Sequence, residues 1–212
     1  MKAIIFDMDG TTLDTLEDIT DACNLTFKDY GLKQYTPEEM REKLGYGFLG
    51  LMKSCFPETM QDKCEEAVAV FSKYYADIYK NKTKPYDGIL ETMKLLQERK
   101  LILAINSNKD DYYAKELVKV KFPGVSIAAC YGKRKDMPGK PDPSAVFEIL
   151  KELNLNKEDV LYVGDSEADY NTAKNAGIAF VGVTWGYRNK ETLKECGVEN
   201  FIDRPQEIIN YL

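Results

Sequence analysis

Short apolar runs separated by amphipathic stretches set the pattern of this chain. Lys2-Ala3-Ile4-Ile5-Phe6 ends abruptly in acids and Gly10, and Leu101–Ile105, Val125–Cys130, Val160–Val163 and Ala179–Val183 have the same form. Runs this short, apolar without alternation, predict strands buried on both faces. Between them, residues 87–99, 110–121, 143–153 and 167–176 carry helical patterns, and Gly177 is a natural stop for the last. Strands alternating with helices predict an α/β fold: a doubly wound, Rossmann-like parallel sheet covered on both faces. In such sheets ligands collect beyond the carboxyl ends of the strands, so the residues just after each strand are the candidates for chemistry.

Residues 16–82 break the alternation. Leu16, Ile19, Cys23, Phe27 and Tyr30 recur at helical spacing, and Gly31 closes that helix. Thr36-Pro37-Glu38-Glu39 is a helix start, with Thr as N-cap, Pro at the first helical position and acids in the first turn. Residues 37–44 are expected to be helical, and residues 61–80 form one long helix carrying Ala67, Val70, Phe71, Tyr74 and Ile78. The absence of a strand pattern predicts a helical insertion, residues 15–82, within a core made of residues 1–14 and 83–212.

Composition then removes whole classes of function. The chain has 212 residues, 44% hydrophobic and 30% charged, which is enough to bury a core. Its net charge of -6 argues against nucleic acid as a partner, because that affinity comes mainly from cations on phosphate. No apolar run reaches the length of a membrane span. The chain contains 0 His, which excludes Ser-His-Asp triads, phosphohistidine chemistry and His-ligated zinc. Cys23, Cys55, Cys64, Cys130 and Cys196 form no C-x-x-C pair and suit a reducing compartment. Cys130 lacks the Arg a thiolate phosphatase places six positions on, where Asp136 stands. Met1-Lys2 leads straight into the first strand with too little apolar length for a signal peptide, so a cytoplasmic location is expected.

Two glycine patterns are set aside. Gly45-Tyr46-Gly47-Phe48-Leu49-Gly50 matches the dinucleotide fingerprint but follows a helix rather than a strand. Gly139-Lys140 fails as a P-loop because Pro141 stands where a Ser or Thr should reach magnesium.

Four strand ends carry polar clusters. Asp7 and Asp9, spaced i, i+2 after the first strand, point to one side. Buried acids need a cation or donors to compensate them, and magnesium is the natural hard cation for carboxylate oxygen; a helix-capping acid pair at a loop entry is the alternative. Ser107, in Asn106-Ser107-Asn108-Lys109, stands before an expected helix start, which would make a phosphate site or a plain cap. Lys140, between Gly139 and Pro141, sits on a rigid turn, facing either the acids and a phosphate or solvent. Gly164-Asp165-Ser166-Glu167-Ala168-Asp169 is a second acidic cluster, which helix capping would also explain. Four such clusters in one series of strand ends are hard to explain as caps alone.

In this order the clusters resemble the haloacid dehalogenase superfamily, whose D-x-D-G-T motif, Ser/Thr, Lys and G-D-S-x-x-D motif stand here as Asp7–Thr11, Ser107, Lys140 and Gly164–Asp169. The resemblance covers nearly the whole chain, and the helical insertion is similar to the family's small cap. Asp14-Thr15-Leu16-Glu17-Asp18-Ile19, Ser107-Asn108-Lys109, Gly139–Pro143 and Thr184-Trp185-Gly186-Tyr187 most resemble phosphoglycolate phosphatases. Thr12 departs from the family's usual Leu, a change expected to affect packing rather than chemistry.

The resemblance implies magnesium-dependent hydrolysis of a small phosphomonoester, with 2-phosphoglycolate as lead substrate. It implies Asp7 as nucleophile and Asp9 as the acid and then the base. Magnesium would lie on Asp7, the carbonyl of Asp9 and Asp165, with Asp169 in the outer shell. Ser107 and the amide of Asn108 would hold phosphate oxygens, and Lys140 would balance the charge. A sugar-phosphate mutase, a pyrophosphatase or a nucleotidase on the same scaffold are the rivals, and a non-catalytic phosphate-binding module is the rival of another class. Dehalogenase chemistry is disfavoured because it has no need of the acid at Asp9. Gly45-Tyr46-Gly47 is the candidate cap loop for specificity, with a solvent-facing turn the alternative.

Overall fold

The computed structural model describes residues 1–44 and 47–212. In chain order the elements are β1 (Ala3–Phe6), β2 (Leu13–Asp14), α1 (Leu16–Asp29), α2 (Pro37–Arg41), α3 (Gly47–Cys55), α4 (Cys64–Ile78), β3 (Lys84–Pro85), α5 (Ile89–Glu98), β4 (Ile102–Asp110), α6 (Asp111–Lys121), β5 (Ala129–Lys133), α7 (Ser144–Glu152), β6 (Val160–Gly164), α8 (Glu167–Ala176), β7 (Ala179–Val183), α9 (Lys190–Glu195) and β8 (Phe201–Ile202). The sheet is six-stranded, ordered β5-β4-β1-β6-β7-β8, and every pairing in it is parallel. The α/β parallel architecture read from the apolar runs is therefore the architecture found. Chain order reverses at β1, which lies between β4 and β6, so the crevice for a ligand lies beyond its carboxyl end.

Contacts divide the chain into two units, Met1–Leu13 with Pro85–Leu212, and Asp14–Lys84. In the first unit, β1 is covered on both faces. Ala3 and Ile5 pack with Val146 and Ile149 of α7 and Ala173 and Ala176 of α8, while Ile4 and Phe6, facing the other way, are equally buried. Full burial of an Ile or Phe side chain contributes about 1.5–3 kcal/mol, so an unalternating apolar run is what a two-sided strand requires.

Several boundaries differ from the sequence pattern. The run Val125–Cys130 joins the sheet only from Ala129, because the Gln97 side chain grips Ser126 at both its amide and its carbonyl, at 3.2 and 3.0 Å. β4 runs on to Asp110, with its pairing to β5 irregular between Asn106 and Asp110. The helix expected over 110–121 starts at Asp111, capped by the Asp110 carboxylate accepting from the Tyr112 amide at 3.0 Å. The two-residue strand β8 gave no pattern to read.

In the second unit, Thr36 and Glu39 form the reciprocal capping box that starts α2, which ends at Arg41 rather than continuing to Leu44. The single helix expected over 61–80 is a 3₁₀ segment, Glu58–Lys63, followed by α4. Its buried face runs through Cys64, Ala67, Phe71 and Tyr75; Tyr74 instead points outward and donates to Asp29 at 2.8 Å. Of the Gly45-Tyr46-Gly47 loop, Gly45 and Tyr46 lie outside the described residues, and Gly47 opens α3. Asp18, fully buried on α1, accepts from the amides of Lys82 and Thr83 at 3.0 and 2.8 Å and from the Thr83 hydroxyl at 2.7 Å.

Candidate active site

β1 is the ruler of the site. Phe6 pairs with Ile105 of β4 on one side and Val163 of β6 on the other. The next residue, Asp7, continues the ladder by donating its amide to the Val163 carbonyl at 2.9 Å. The backbone then turns tightly. Thr12 and Leu13 donate to the Met8 carbonyl at 3.0 and 2.9 Å, and Gly10 takes a φ of +88°, a left-handed value that glycine adopts without strain. Thr12 does more than pack: its buried hydroxyl lies 3.1 Å from the Asp7 carbonyl and 3.2 Å from that of Met8.

Lys140 reaches this turn from the loop after β5. Its ammonium lies 2.6 Å from Asp7 Oδ1 and 2.6 Å from Asp169 Oδ1, all three groups buried. The loop is held by a turn from the Asp142 amide to the Gly139 carbonyl at 3.1 Å and by Asn108, whose side-chain amide donates to the Lys140 carbonyl at 3.2 Å.

Asp169 is saturated. Its Oδ2 accepts from the Ser166 hydroxyl at 2.5 Å and amide at 3.0 Å, closing the capping box that starts α8, while Oδ1 takes Lys140 and the Tyr162 hydroxyl at 3.3 Å. The helix cap is therefore Ser166 rather than Asp165. Asp165 accepts from the Tyr187 amide at 2.6 Å and the Thr11 hydroxyl at 3.1 Å. A side-chain carbon at Gly10 or Gly186 would collide with its carboxylate, so both glycines are needed for close approach.

Charge is unbalanced here. Ligand oxygens of Asp7, Asp165 and Asp169 lie within 4.8 Å of one another, with Lys140 among them. Burial would lower the Lys140 ammonium, but Asp169 and Asp7 override it and hold its pKa well above the ordinary range. Burial, and then the neighbouring Asp169, push Asp7 well up and raise Asp165 to about 7. A divalent cation would relieve this excess, and carboxylate oxygens are the donors a hard cation takes. The residues present fit such an ion.

The remaining candidates are close by in sequence but joined differently. Asp9 is reached by Lys109, Nζ to Oδ1 3.1 Å, on a side chain with 0% exposure. Ser107, at the end of β4, is buried, and its Oγ accepts from the Lys109 amide at 3.2 Å rather than joining the acids. Lys109 and Tyr162 belong to the site without having been singled out from sequence. Lys109 read as part of a helix start, and Tyr162 as one more apolar strand position.

The haloacid dehalogenase-like hydrolase model matches residues 4–183. The chain belongs to this family of haloacid dehalogenase-like hydrolases. A phosphoglycolate phosphatase of Aquifex aeolicus is 32% identical over 187 residues, covering 88% of this chain and 86% of the relative. Phosphoglycolate phosphatase 1 of Pseudomonas aeruginosa is 27% identical over 214 residues, covering 98% and 78%. A crystal structure of a candidate phosphoglycolate phosphatase from Lactobacillus delbrueckii superposes with a TM-score of 0.94 at 32% identity, covering 99% of this chain and 97% of that one. This haloacid dehalogenase-like hydrolase is a phosphatase, a phosphoric monoester hydrolase. No helix among its described residues is long and apolar enough to cross a membrane.

Proposed function

We propose that this chain is a magnesium-dependent phosphatase of small phosphorylated metabolites, that it works through an aspartyl phosphate on Asp7, and that 2-phosphoglycolate is its lead substrate. The observation that carries the reading is the buried Lys140 ammonium, 2.6 Å from both Asp7 and Asp169. A nucleophilic carboxylate needs no base to activate it, only an environment in which it can meet an anion. Magnesium held by Asp7, the backbone carbonyl of Asp9 and Asp165 would supply the positive charge that keeps Asp7 ionised and neutralises the phosphoryl group. Asp169 is assigned to the outer shell, where one of its oxygens pairs with Lys140 and the other closes the Ser166 cap of α8.

Asp7 attacks phosphorus as the ester P–O bond breaks, and Asp9 gives its proton to the departing oxygen. Asp9 then takes a proton from the water that attacks the aspartyl phosphate, and inorganic phosphate leaves a restored Asp7. Ser107 and the amide of Asn108 bind phosphoryl oxygens while Lys140 balances the charge that develops on them. In this reading residues 1–14 and 83–212 carry the chemistry and residues 15–82 serve as a cap. The two curated relatives named as phosphoglycolate phosphatases support the choice of substrate. Five free cysteines are compatible with a cytoplasmic location.

A hydrolysis screen over 2-phosphoglycolate, pyrophosphate, nucleotides and sugar phosphates, compared by kcat/KM, tests the substrate. The expected result is 2-phosphoglycolate first, with activity lost in chelator and restored by magnesium. Transfer of the phosphoryl group to a sugar hydroxyl in place of water would make the chain a mutase.

A further inference from the structure

Lys109 is among the largest fully buried side chains of the described residues, and its ammonium lies 3.1 Å from Oδ1 of a catalytic candidate, Asp9. Burying a lysine is costly unless its charge is met. Asp9 by itself has less need of a partner, since its side chain keeps 20% of its surface. The chain thus accepts a buried cation to hold a carboxylate that water could already reach.

The backbone shows how it is held. Lys109 lies in the stretch of β4 where the pairing to β5 is irregular, and its amide is tied to the Ser107 hydroxyl at 3.2 Å. One residue therefore links the end of β4 to the turn after β1. We propose that Lys109 is a positioning residue for the acid–base step: its ammonium fixes where the Asp9 carboxylate stands beyond the end of β1. Held there, Asp9 gives its proton to the ester oxygen as the P–O bond breaks. In the second half, Asp9 takes a proton from water as the new O–P bond forms and the bond from Asp7 to phosphorus breaks.

This inference rests on the reading of Asp9 as acid and base, and a leaving-group series separates the two. Lys109→Met, Lys109→Arg and Asp9→Asn are assayed with magnesium on 2-phosphoglycolate, whose alkoxide leaves poorly without a proton, and on 4-nitrophenyl phosphate, whose leaving group departs readily. General acid catalysis contributes about 10²–10⁴-fold. Lys109→Met should lose on the order of 100-fold in kcat/KM on 2-phosphoglycolate and less than about tenfold on the aryl ester, with Lys109→Arg recovering part of the loss. Lys109→Gln, which keeps a donor, replaces the Met variant if that protein fails to fold, and should then sit between wild type and Asp9→Asn on the alkyl ester. Equal losses on both esters for the Lys109 variants, beside a leaving-group-dependent loss for Asp9→Asn, would overturn the positioning role alone. A uniform loss in Asp9→Asn would overturn the acid–base reading and the inference with it.

Discussion

Asp169 meets the Lys140 ammonium at 2.6 Å with one oxygen and the Ser166 hydroxyl at 2.5 Å with the other. One carboxylate thereby joins the loop after β5 to the first turn of α8. Asp169→Asn keeps an acceptor for the helix cap but removes the charge that steadies Lys140. Loss of such an outer partner typically costs about 10–100-fold in activity or metal affinity. We expect a kcat reduced within that range and an unchanged far-ultraviolet circular dichroism spectrum; wild-type kcat would dissociate the cap from the chemistry.

Lys140→Met removes the one ammonium that Asp7 and Asp169 share. Catalysis should fall by on the order of 10²–10³, the usual effect of losing a preorganised charge at a developing anion. Stability should fall too, because two buried carboxylates lose their cation, although Asp7 can take up a proton in compensation. Turnover numbers and melting temperatures of the same preparation check both effects.

The hydroxyl of Thr12 anchors the carbonyls of Asp7 and Met8. Thr12→Val keeps the shape and removes the donor, which should cost about 1 kcal/mol in stability and lower kcat, whereas Thr12→Ser should keep both. Urea midpoints and steady-state rates decide. If Val and Thr behave alike, position 12 is a matter of packing only, as the sequence suggested.

Asp165 has a folded-state pKa raised to about 7, first by burial and then by Asp169. A carboxylate raised on folding binds more protons in the native state, so its contribution is present below the unfolded value near 4 and is lost as pH rises through 7. In chelator the melting temperature should therefore fall between about pH 4 and pH 7. Added magnesium should raise it most at the alkaline end, where the ligands are already deprotonated. A metal-induced gain that is largest at pH 5 would contradict this balance.

The two acids of the first motif should separate in a trapping experiment. Asp7→Asn has no nucleophile and should show neither turnover nor covalent intermediate. Asp9→Asn keeps the nucleophile but cannot activate water, so with magnesium and an acyl or aryl phosphate it should accumulate phosphoenzyme. Mass spectrometry after acid quench should locate the group on the peptide holding Asp7. Phosphorylated serine, or accumulation in Asp7→Asn, would reverse the roles.

The sheet was legible because strands buried on both faces need unalternating apolar runs, and Ile4, Ile5 and Phe6 can serve little else. Asp7, Asp165 and Lys140 were legible because each follows such a run or stands on a Gly-Pro turn. Tyr162 was hidden by the same rule, since inside an apolar run a tyrosine counts as a ring and its hydroxyl goes unread. Lys109 was hidden because Ser107 and Asn108 read as a plain cap before a helix, whereas β4 runs through that stretch to Asp110, its pairing with β5 irregular there. On α4, Tyr74 and Tyr75 are chemically equal neighbours, and the helix phase alone decides which is core.

Asp18 leaves a consequence for how this chain can change. By taking the amides of Lys82 and Thr83, it brings the far end of the insertion back to its first helix. To the strands on either side, the inserted unit is then a closed loop whose length scarcely registers. Closing a longer loop adds only about 0.6 kcal/mol per doubling. The entropy of closing the segment between Asp18 and Lys82 then depends only weakly on its length, so long as that one carboxylate keeps its two amides.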